Sequence, residues 1–215
     1  FLREGTAISD TLHPDRVVIG TTSDRARDLL TELHKPIDTK LVLCNVETAE
    51  VIKYASNSLL STKISFANSI AVLSERVGAD AEKVLEGVGL DRRLGRSFLY
   101  AGVGYGGSCF PKDTRALVAI GKNLDEPMSI VQTVVESNEK QKLRMAQKIF
   151  TTMGDVMGKT IAVLGLAFKA ETDDIRESPA LVIVPELIRR GAIIKAYDPE
   201  AIPNFREQVR DIGKN

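Results

Sequence analysis

The stretch from residue 46 to residue 78 constrains the fold of this 215-residue chain more than any other part. It contains no proline and no internal glycine, and its apolar residues recur at helical spacing. They are Ile52, Ala55, Leu59, Phe66, Ile70, Leu73 and Val77. This pattern predicts one long helix that ends at Gly78. Residues 127–153 predict a second long helix.

Shorter patterns of α/β type lie on both sides of these helices. RVVIG (16–20) and KLVLC (40–44) favour strands, and the helix-like stretch between them has Ser23 as its N-cap. Near the other end, a strand in KTIAVL precedes a helix capped by Ser178 and a strand that ends in Asp198. We therefore expect an α/β fold class with three parts: 1–45, a helical middle at 46–154, and 155–215. We also expect the chain to be a piece of a longer protein.

Composition excludes several classes of function. Lys and Arg together number 29, as do Asp and Glu, which argues against a phosphate-binding face for nucleic acid. The sequence contains no apolar run of the roughly 20 residues that a membrane helix needs. Two cysteines in a chain of this length make no disulfide framework and favour a reducing, cytoplasmic compartment. The two histidines lie at no ligand spacing with cysteine, so we expect no metal site.

The segment AGVGYGGSCFPKD, residues 101–113, carries the strongest chemical signal. Gly102, Gly104 and Gly107 formally match the dinucleotide fingerprint G-x-G-x-x-G. That fingerprint belongs between a strand and a helix of a βαβ unit, whereas Pro111 interrupts this segment. We therefore do not interpret these glycines as a dinucleotide motif.

Cys109 is the candidate nucleophile of this segment. A helix is expected to start at Pro111 and to run to about Ile120, which places the thiol at a helix N-terminus that favours an anion. Lys112 adds positive charge, and Asp113 can reach back from the first turn. The alternative is an inert buried thiol in a tight loop. Cys44, at the end of an apolar strand, is interpreted as structural.

Four segments carry a resemblance to a known family. GYGGSCFPKD, FLREG at 1–5, EVIKYASN at 50–57 and GLAFKAETDDIRESPA at 165–180 resemble motifs of the UDP-glucose/GDP-mannose dehydrogenase family. They lie in the family's order and span nearly the whole chain. The resemblance implies two Rossmann-like domains joined by a long helical core that forms a homodimer. Residues 1–45 would end the NAD-binding domain, and residues 155–215 would begin the domain that binds the UDP-sugar.

The resemblance also implies a reaction, the oxidation of a sugar C6 alcohol to a carboxylate with two NAD+. Cys109 would capture the aldehyde as a thiohemiacetal and pass through a thioester. The aromatic residue before the glycine pair and the Phe after the cysteine resemble the branch that acts on UDP-glucose, with GDP-mannose as the alternative. Ser108 stands where enzymes acting on N-acetylated hexosamines usually have His. A third possibility is a dimerisation module without catalysis.

The resemblance assigns further catalytic roles. Lys53 and Asn57, four residues apart on one helix face, would stabilise the oxyanion at C6. Glu4 would activate the hydrolytic water, and Asp113 would position a water or move a proton. From the residues alone, a solvated face is the favoured interpretation of Lys53 and Asn57, and only the resemblance reverses it. Glu4 fits an exposed acid, and Asp113 fits a first-turn residue facing the helix dipole.

Binding roles follow from the same resemblance. The expected substrate contacts are Phe1, Leu2, Arg3, Lys53, Asn57, Arg93, Phe98, Tyr100, Gly104, Tyr105, Gly106, Phe168 and Lys169. The expected NAD contacts are Glu4, Cys109, Lys112 and Arg176. Arg93 would reach the neighbouring subunit's site, although it could equally be one more charge in the run RRLGR. Arg176 could instead only pair with Asp173 or Asp174, a contact worth little at a surface.

Overall fold

A computed structural model describes residues 2–3 and 5–210 of the chain. The chain falls into two compact units, Phe1–Ser56 and Asn57–Asn215. The elements in chain order are α1 (Ala7–Leu12), β1 (Arg16–Gly20), α2 (Asp24–His34), β2 (Lys40–Cys44), α3 (Val46–Val77), α4 (Ala81–Gly89), α5 (Phe110–Asn123), α6 (Ser129–Met153), β3 (Thr160–Leu164), α7 (Ala180–Arg189), β4 (Ile193–Tyr197) and α8 (Ile202–Val209). This alternation of strands and helices around two long helices confirms the predicted fold class.

The first unit is built on a parallel pair of strands. β1 pairs with β2 in the register Arg16↔Lys40 to Gly20↔Cys44, and α2 provides the connection that parallel strands require. The Ser23 hydroxyl accepts the Ala26 N–H at 3.3 Å, as expected of an N-cap. Both strands have the bounds that the sequence predicts.

The second unit carries a matching pair at its C-terminal end. β3 and β4 are parallel, with Thr160 opposite Ile193 and Leu164 opposite Tyr197. Beside them a small core forms from Leu166, Val184, Ala201 and Phe205, all nearly fully buried. Since apolar burial is the main favourable contribution to folding, this cluster holds β3, β4, α7 and α8 together.

Asp198, directly after β4, is buried, and its carboxylate accepts hydrogen bonds from four backbone N–H groups. One oxygen accepts the N–H groups of Leu166 at 2.7 Å and Ala167 at 3.1 Å. The other accepts those of Glu200 at 2.9 Å and Ala201 at 2.8 Å. Burial alone would raise the pKa of this carboxyl, but the four N–H groups outweigh it and hold the pKa well below its usual range. Asp198 therefore fixes the turns after β3 and β4 as an anion.

The long helix α3 is confirmed, but its polarity is the reverse of a surface helix. Its buried positions are mostly small or polar: Asn57, Ser58, Ser61, Ser65, Ala67, Asn68 and Ser74. The apolar residues Leu59, Phe66 and Leu73 are 64%, 49% and 57% exposed. Surface helices normally bury their apolar stripe, so the outward face of α3 is unusually hydrophobic for a chain on its own.

Several element boundaries differ from the sequence prediction. Residue 179 occupies the N-cap position of α7, although the Ser178 hydroxyl still accepts the Ala180 N–H at 3.2 Å. The helix after Cys109 continues past Ile120 to Asn123. The short helices α1 and α8 were not predicted. The expected domain limits at 45/46 and 154/155 stay predictions, and the boundary between the two units follows Ser56, within α3.

Within residues 2–3 and 5–210, no helix is both long and apolar enough to cross a membrane.

Candidate active site

Cys109 stands at the N-terminus of α5, as the sequence predicts. It is the N-cap residue, its carbonyl accepts the Asp113 N–H at 2.9 Å, and Pro111 lies in the first turn, where its missing N–H leaves no bond unmade. The residue is exposed, and the Ser108 hydroxyl lies 3.7 Å from its sulfur. The thiol at the start of α5 is therefore accessible to an electrophile, as a nucleophile requires.

Asn57 and Asp113 form a buried pair on neighbouring helices of the same unit. The Asn57 amide donates to one Asp113 oxygen at 2.5 Å, and the Lys112 ammonium pairs with the other. Asn57 is 4% exposed and Asp113 is 1% exposed. Buried polar groups of this kind persist only when they are hydrogen-bonded, so the pair fixes α3 against the first turn of α5. The Asn57 amide has a second N–H with which it could donate elsewhere.

Residues 101–108, the glycine-rich loop, are held on one side by α6. Asn138, itself buried, accepts the Tyr105 N–H at 2.8 Å and donates to the Tyr105 carbonyl at 3.0 Å. A side-chain amide thus replaces the partner strand that a β-ladder would supply. Gly104 has a φ of 110°, and a Cβ there would stand 3.1 Å from both Asn138 and Lys142. Only glycine combines this backbone conformation with such a close approach.

The other side of the loop meets the segment before α7. The Gly107 N–H donates to the Arg176 carbonyl at 2.7 Å. Gly107 has a φ of 81°, and a Cβ there would lie 2.7 Å from the Phe168 ring. Phe168 and Arg176, both predicted site residues, therefore lie against the loop that carries Cys109. Lys169 follows Phe168, and its ammonium lies 5.5 Å from the Phe168 ring centre.

The aromatic residues of the central segment that are predicted to contact the substrate have different environments. The Phe98 ring packs edge-on against Phe110, 6.1 Å away, which places it beside the start of α5. Tyr100 is exposed and is stacked by Arg96. Tyr105 is 7% exposed, and burial raises the pKa of its phenol. Because its ring lies in the interior, Tyr105 anchors the loop.

Other predicted site residues are not brought to Cys109 by the described geometry. Leu2, Arg3 and Lys53 belong to the first unit, where Arg3 pairs with Asp10 and Lys53 lies on α3 four residues before Asn57. Arg93 is exposed and forms an ion pair with Asp91 in its own loop. The predictions for Phe1 and Glu4 fall outside the described residues.

The residues around Cys109 fit a dinucleotide cofactor. Lys112 and Arg176 place two largely exposed cationic side chains beside Cys109 and the glycine-rich loop. Asp174 orients Arg176 through contacts of 2.7 to 3.1 Å. Cations of this kind suit the diphosphate of NAD. Across residues 2–3 and 5–210, no group of three or more His, Cys, Asp and Glu side chains could hold a metal ion.

The residues that hold the loop, chiefly Asn138 and Lys142, are not among the predicted site residues. The signal was present, because the buried positions of α6 form one helical stripe of Val131, Val134, Asn138, Lys142 and Ala146. An amide and an ammonium on an otherwise apolar stripe require partners inside the protein. The glycine-rich loop is the partner of Asn138, and Glu139 accepts from the Lys142 ammonium at 2.8 Å.

Comparison with known proteins places these features in a family. Three domain models of the UDP-glucose/GDP-mannose dehydrogenase family match the chain. The NAD binding domain matches residues 1–38, the central domain residues 47–140, and the UDP binding domain residues 162–213.

Individual relatives agree with this assignment. UDP-glucose 6-dehydrogenase TuaD of Bacillus subtilis is 56% identical over 94% of this chain and 44% of its own length. UDP-glucose 6-dehydrogenase of Rhizobium meliloti is 47% identical over 99% of this chain and 50% of its own. A solved UDP-glucose dehydrogenase from Pyrobaculum islandicum is 43% identical, with a TM-score of 0.95 over 98% of this chain and 49% of that structure. The chain thus spans about half the length of these relatives, and it belongs to the UDP-glucose/GDP-mannose dehydrogenase family.

Proposed function

We propose that the protein oxidises the C6 alcohol of UDP-glucose to a carboxylate, with NAD+ as oxidant and Cys109 as the covalent nucleophile. The observation that carries the proposal is the exposed Cys109 thiol at the N-terminus of α5. The first turn of the same helix carries Asp113, which is buried and hydrogen-bonded to Asn57. The relatives named as UDP-glucose 6-dehydrogenases support the choice of substrate. A reactive thiol that must stay reduced also fits a cytoplasmic location.

The chemistry assigned to Cys109 accounts for two successive oxidations at one carbon. When bound, NAD+ accepts a hydride in each oxidation. The first oxidation turns the alcohol into an aldehyde, and the Cys109 sulfur then adds to the carbonyl carbon to give a thiohemiacetal. The second oxidation gives a thioester, which water hydrolyses to the carboxylate while the sulfur leaves as thiolate. Covalent capture retains the aldehyde and divides a difficult conversion into easier steps.

Asn57, Asp113 and Lys53 have supporting roles in this proposal. Asp113 lies one turn into α5, where it can hold a water or a proton near the substrate carbon that the Cys109 sulfur attacks. Asn57 orients Asp113 through its 2.5 Å contact and keeps a second N–H for the oxygen that gains charge at C6. Lys53 would supply a positive charge to the same oxygen, and Glu4 would activate the hydrolytic water.

A panel of nucleotide sugars tests the proposal on the natural full-length protein. With UDP-glucose and excess NAD+, we expect two NADH per sugar consumed and a carboxylate product, measured by absorbance and mass spectrometry. GDP-mannose is the matched comparison and should give little turnover. One NADH per sugar would contradict the covalent route, and failure with every sugar would leave the dimerisation module as the function.

We also propose that the outward face of α3 forms a homodimer contact. Leu59, Phe66 and Leu73 recur every seven residues and expose apolar surface along a single line. Repeats of seven residues are typical of helices that pack against another helix. A second copy of the chain would bury this line by symmetry, since the same patch serves both subunits of a two-fold dimer.

Charge placed on this line is expected to dissociate the dimer. Phe66→Asp should weaken association of the natural full-length protein by at least about a hundredfold, because it removes about 2–3 kcal/mol of apolar burial and buries a charge. Sedimentation velocity across a dilution series measures the effect. Leu124→Asp is the matched control, because Leu124 is also an exposed apolar residue, 68% exposed against 49% for Phe66, but lies at the C-terminal end of α5. Unchanged sedimentation of Phe66→Asp would refute this contact.

A further inference from the structure

Glu177, three residues before the start of α7, touches the glycine-rich loop backbone to backbone. A Cβ at Gly106 would lie 2.4 Å from the Glu177 carbonyl oxygen, so glycine is required for this approach. The preceding residue, Arg176, accepts the Gly107 N–H at 2.7 Å. Two successive residues of the loop therefore rest on two successive residues of the segment before α7.

The Glu177 carboxylate is contacted separately by α5 and α6, the two helices next to the loop. Arg115 of α5 donates to it in a fork, with one bond of 2.9 Å to each oxygen. The Lys142 ammonium of α6, almost completely buried, lies 3.9 Å away. The Arg115 hydrogen bonds hold the pKa of the Glu177 carboxyl below its ordinary value, so the group stays charged at neutral pH. Glu177 thus links α5 and α6 through its side chain and the loop through its backbone.

The backbone of Glu177 is in a conformation that a non-glycine residue rarely adopts. Its φ is 55°, in the left-handed region. Such a conformation costs on the order of 1–3 kcal/mol and persists only where several contacts impose it. At Glu177 those contacts are the carbonyl against Gly106 and the carboxylate on Arg115.

Cys109 lies where the two structures held by Glu177 meet. The glycine-rich loop leads into Cys109, and α5 leads out of it. We propose that Glu177 is a positioning residue for Cys109, which sets the place of the sulfur by locking the loop to α5. The inference rests on the proposed function for its kinetic consequence, although its structural consequence can be measured without turnover.

Removing the charge of Glu177 is expected to slow the reaction without loosening the whole protein. In the natural full-length protein, Glu177→Gln should lower kcat with UDP-glucose about tenfold or more, because misplacing a reacting group by a fraction of an ångström has effects of this size. The KM for the sugar should stay within about twofold. The melting temperature should change little, since a half-exposed ion pair contributes little stability. Amide exchange at Gly107 should accelerate in the variant.

Two comparisons separate positioning from general destabilisation. Arg115→Ala should reproduce the fall in kcat, and the Arg115→Ala/Glu177→Gln double variant should be no slower than either single variant, because both cut the same contact. Glu186→Gln is the matched control, since Glu186 is also a glutamate in an ion pair, with Arg189 on α7. It should leave kcat and Gly107 exchange unchanged.

The outcomes are distinct. An unchanged kcat and unchanged Gly107 exchange in Glu177→Gln would overturn the positioning role. A fall in kcat matched by faster exchange throughout the protein and a lower melting temperature would also overturn it, in favour of a purely structural role. If the unsubstituted protein oxidises none of the sugars, the proposed function fails. Exchange at Gly107 then decides the positioning role alone, with acceleration confined to residues 102–110 in its favour.

Discussion

Cys109→Ala is expected to abolish acid formation in the natural full-length protein, with kcat for UDP-glucose falling by at least about a thousandfold. In the proposed route the second oxidation acts on the aldehyde held as an adduct of the Cys109 sulfur, and alanine cannot form that adduct. Cys109→Ser should fall nearly as far, because an unactivated hydroxyl is a much weaker nucleophile than a thiolate at neutral pH. Steady-state NADH production and mass spectrometry of the sugar products measure both variants.

Cys44→Ala is the matched control for these variants. Cys44 is the other cysteine of the chain and ends β2, with its sulfur 3.8 Å from the Ile19 carbonyl. The Cys44→Ala variant should retain kcat for UDP-glucose within about twofold of the unsubstituted value. If Cys109→Ala still produced acid at the unsubstituted rate, the covalent route would be wrong, and hydration of a free aldehyde would replace it.

Asp198→Ala is expected to lower the free energy of unfolding of the C-terminal α/β segment by about 3–5 kcal/mol. The change leaves four backbone N–H groups without their acceptor, and those of Leu166 and Ala201 belong to buried residues. Urea unfolding followed by circular dichroism gives the loss, and hydrogen exchange in β3 and β4 assigns it to this segment. Asp155→Ala is the matched control, because Asp155 accepts one N–H, that of Met157, at an exposed site, and should lose under about 1 kcal/mol.

The contribution of Asp198 also has a defined dependence on pH. Its pKa is lower in the folded protein than in the unfolded chain, so its stabilisation is complete above the unfolded value of about 3.9. The stabilisation is lost as the pH falls through the lower folded pKa. Unfolding measured between pH 7 and pH 3 should therefore show a smaller decline in Asp198→Ala than in the unsubstituted protein. Equal declines would mean that the anion is not what secures these turns.

Local patterns in the sequence were sufficient to predict the strands and long helices. β1, β2 and the end of α3 at Gly78 follow from apolar runs and a glycine, which act within a few neighbouring residues. The helices α1 and α8 have only 6 and 8 residues, too few for a periodic pattern to emerge. Ser178 was predicted as a cap, but its hydroxyl also donates to the Leu166 carbonyl at 2.7 Å, a partner that only the folded chain brings near.

The residues of the candidate site likewise divide into those that the local sequence relates and those that only the packing of the helices brings together. Cys109, Lys112 and Asp113 are adjacent in sequence, and a helix start alone relates them. The contacts of Asn57 with Asp113 and of Asn138 with Tyr105 bridge 56 and 33 residues and depend on how the helices pack. Only the family resemblance identified Asn57 as a site residue, because the residues alone favour a solvated face. Nothing supplied Asn138, although its place on the apolar stripe of α6 marked it as a residue in need of a partner.

The glycine-rich loop is held on both sides by residues that follow it in the sequence, and this has a consequence for synthesis on the ribosome. The chain emerges from its N-terminus, so Cys109 and the start of α5 leave the exit tunnel well before the groups that shape them. Asn138 follows Tyr105 by 33 residues, and Glu177 follows Arg115 by 62. The loop therefore reaches its final form only once the segment before α7 has been translated and has closed over it. A ribosome that stops short of residue 177 leaves Cys109 without the contacts of Glu177 to the loop and to Arg115, so these contacts form after α5 has been made.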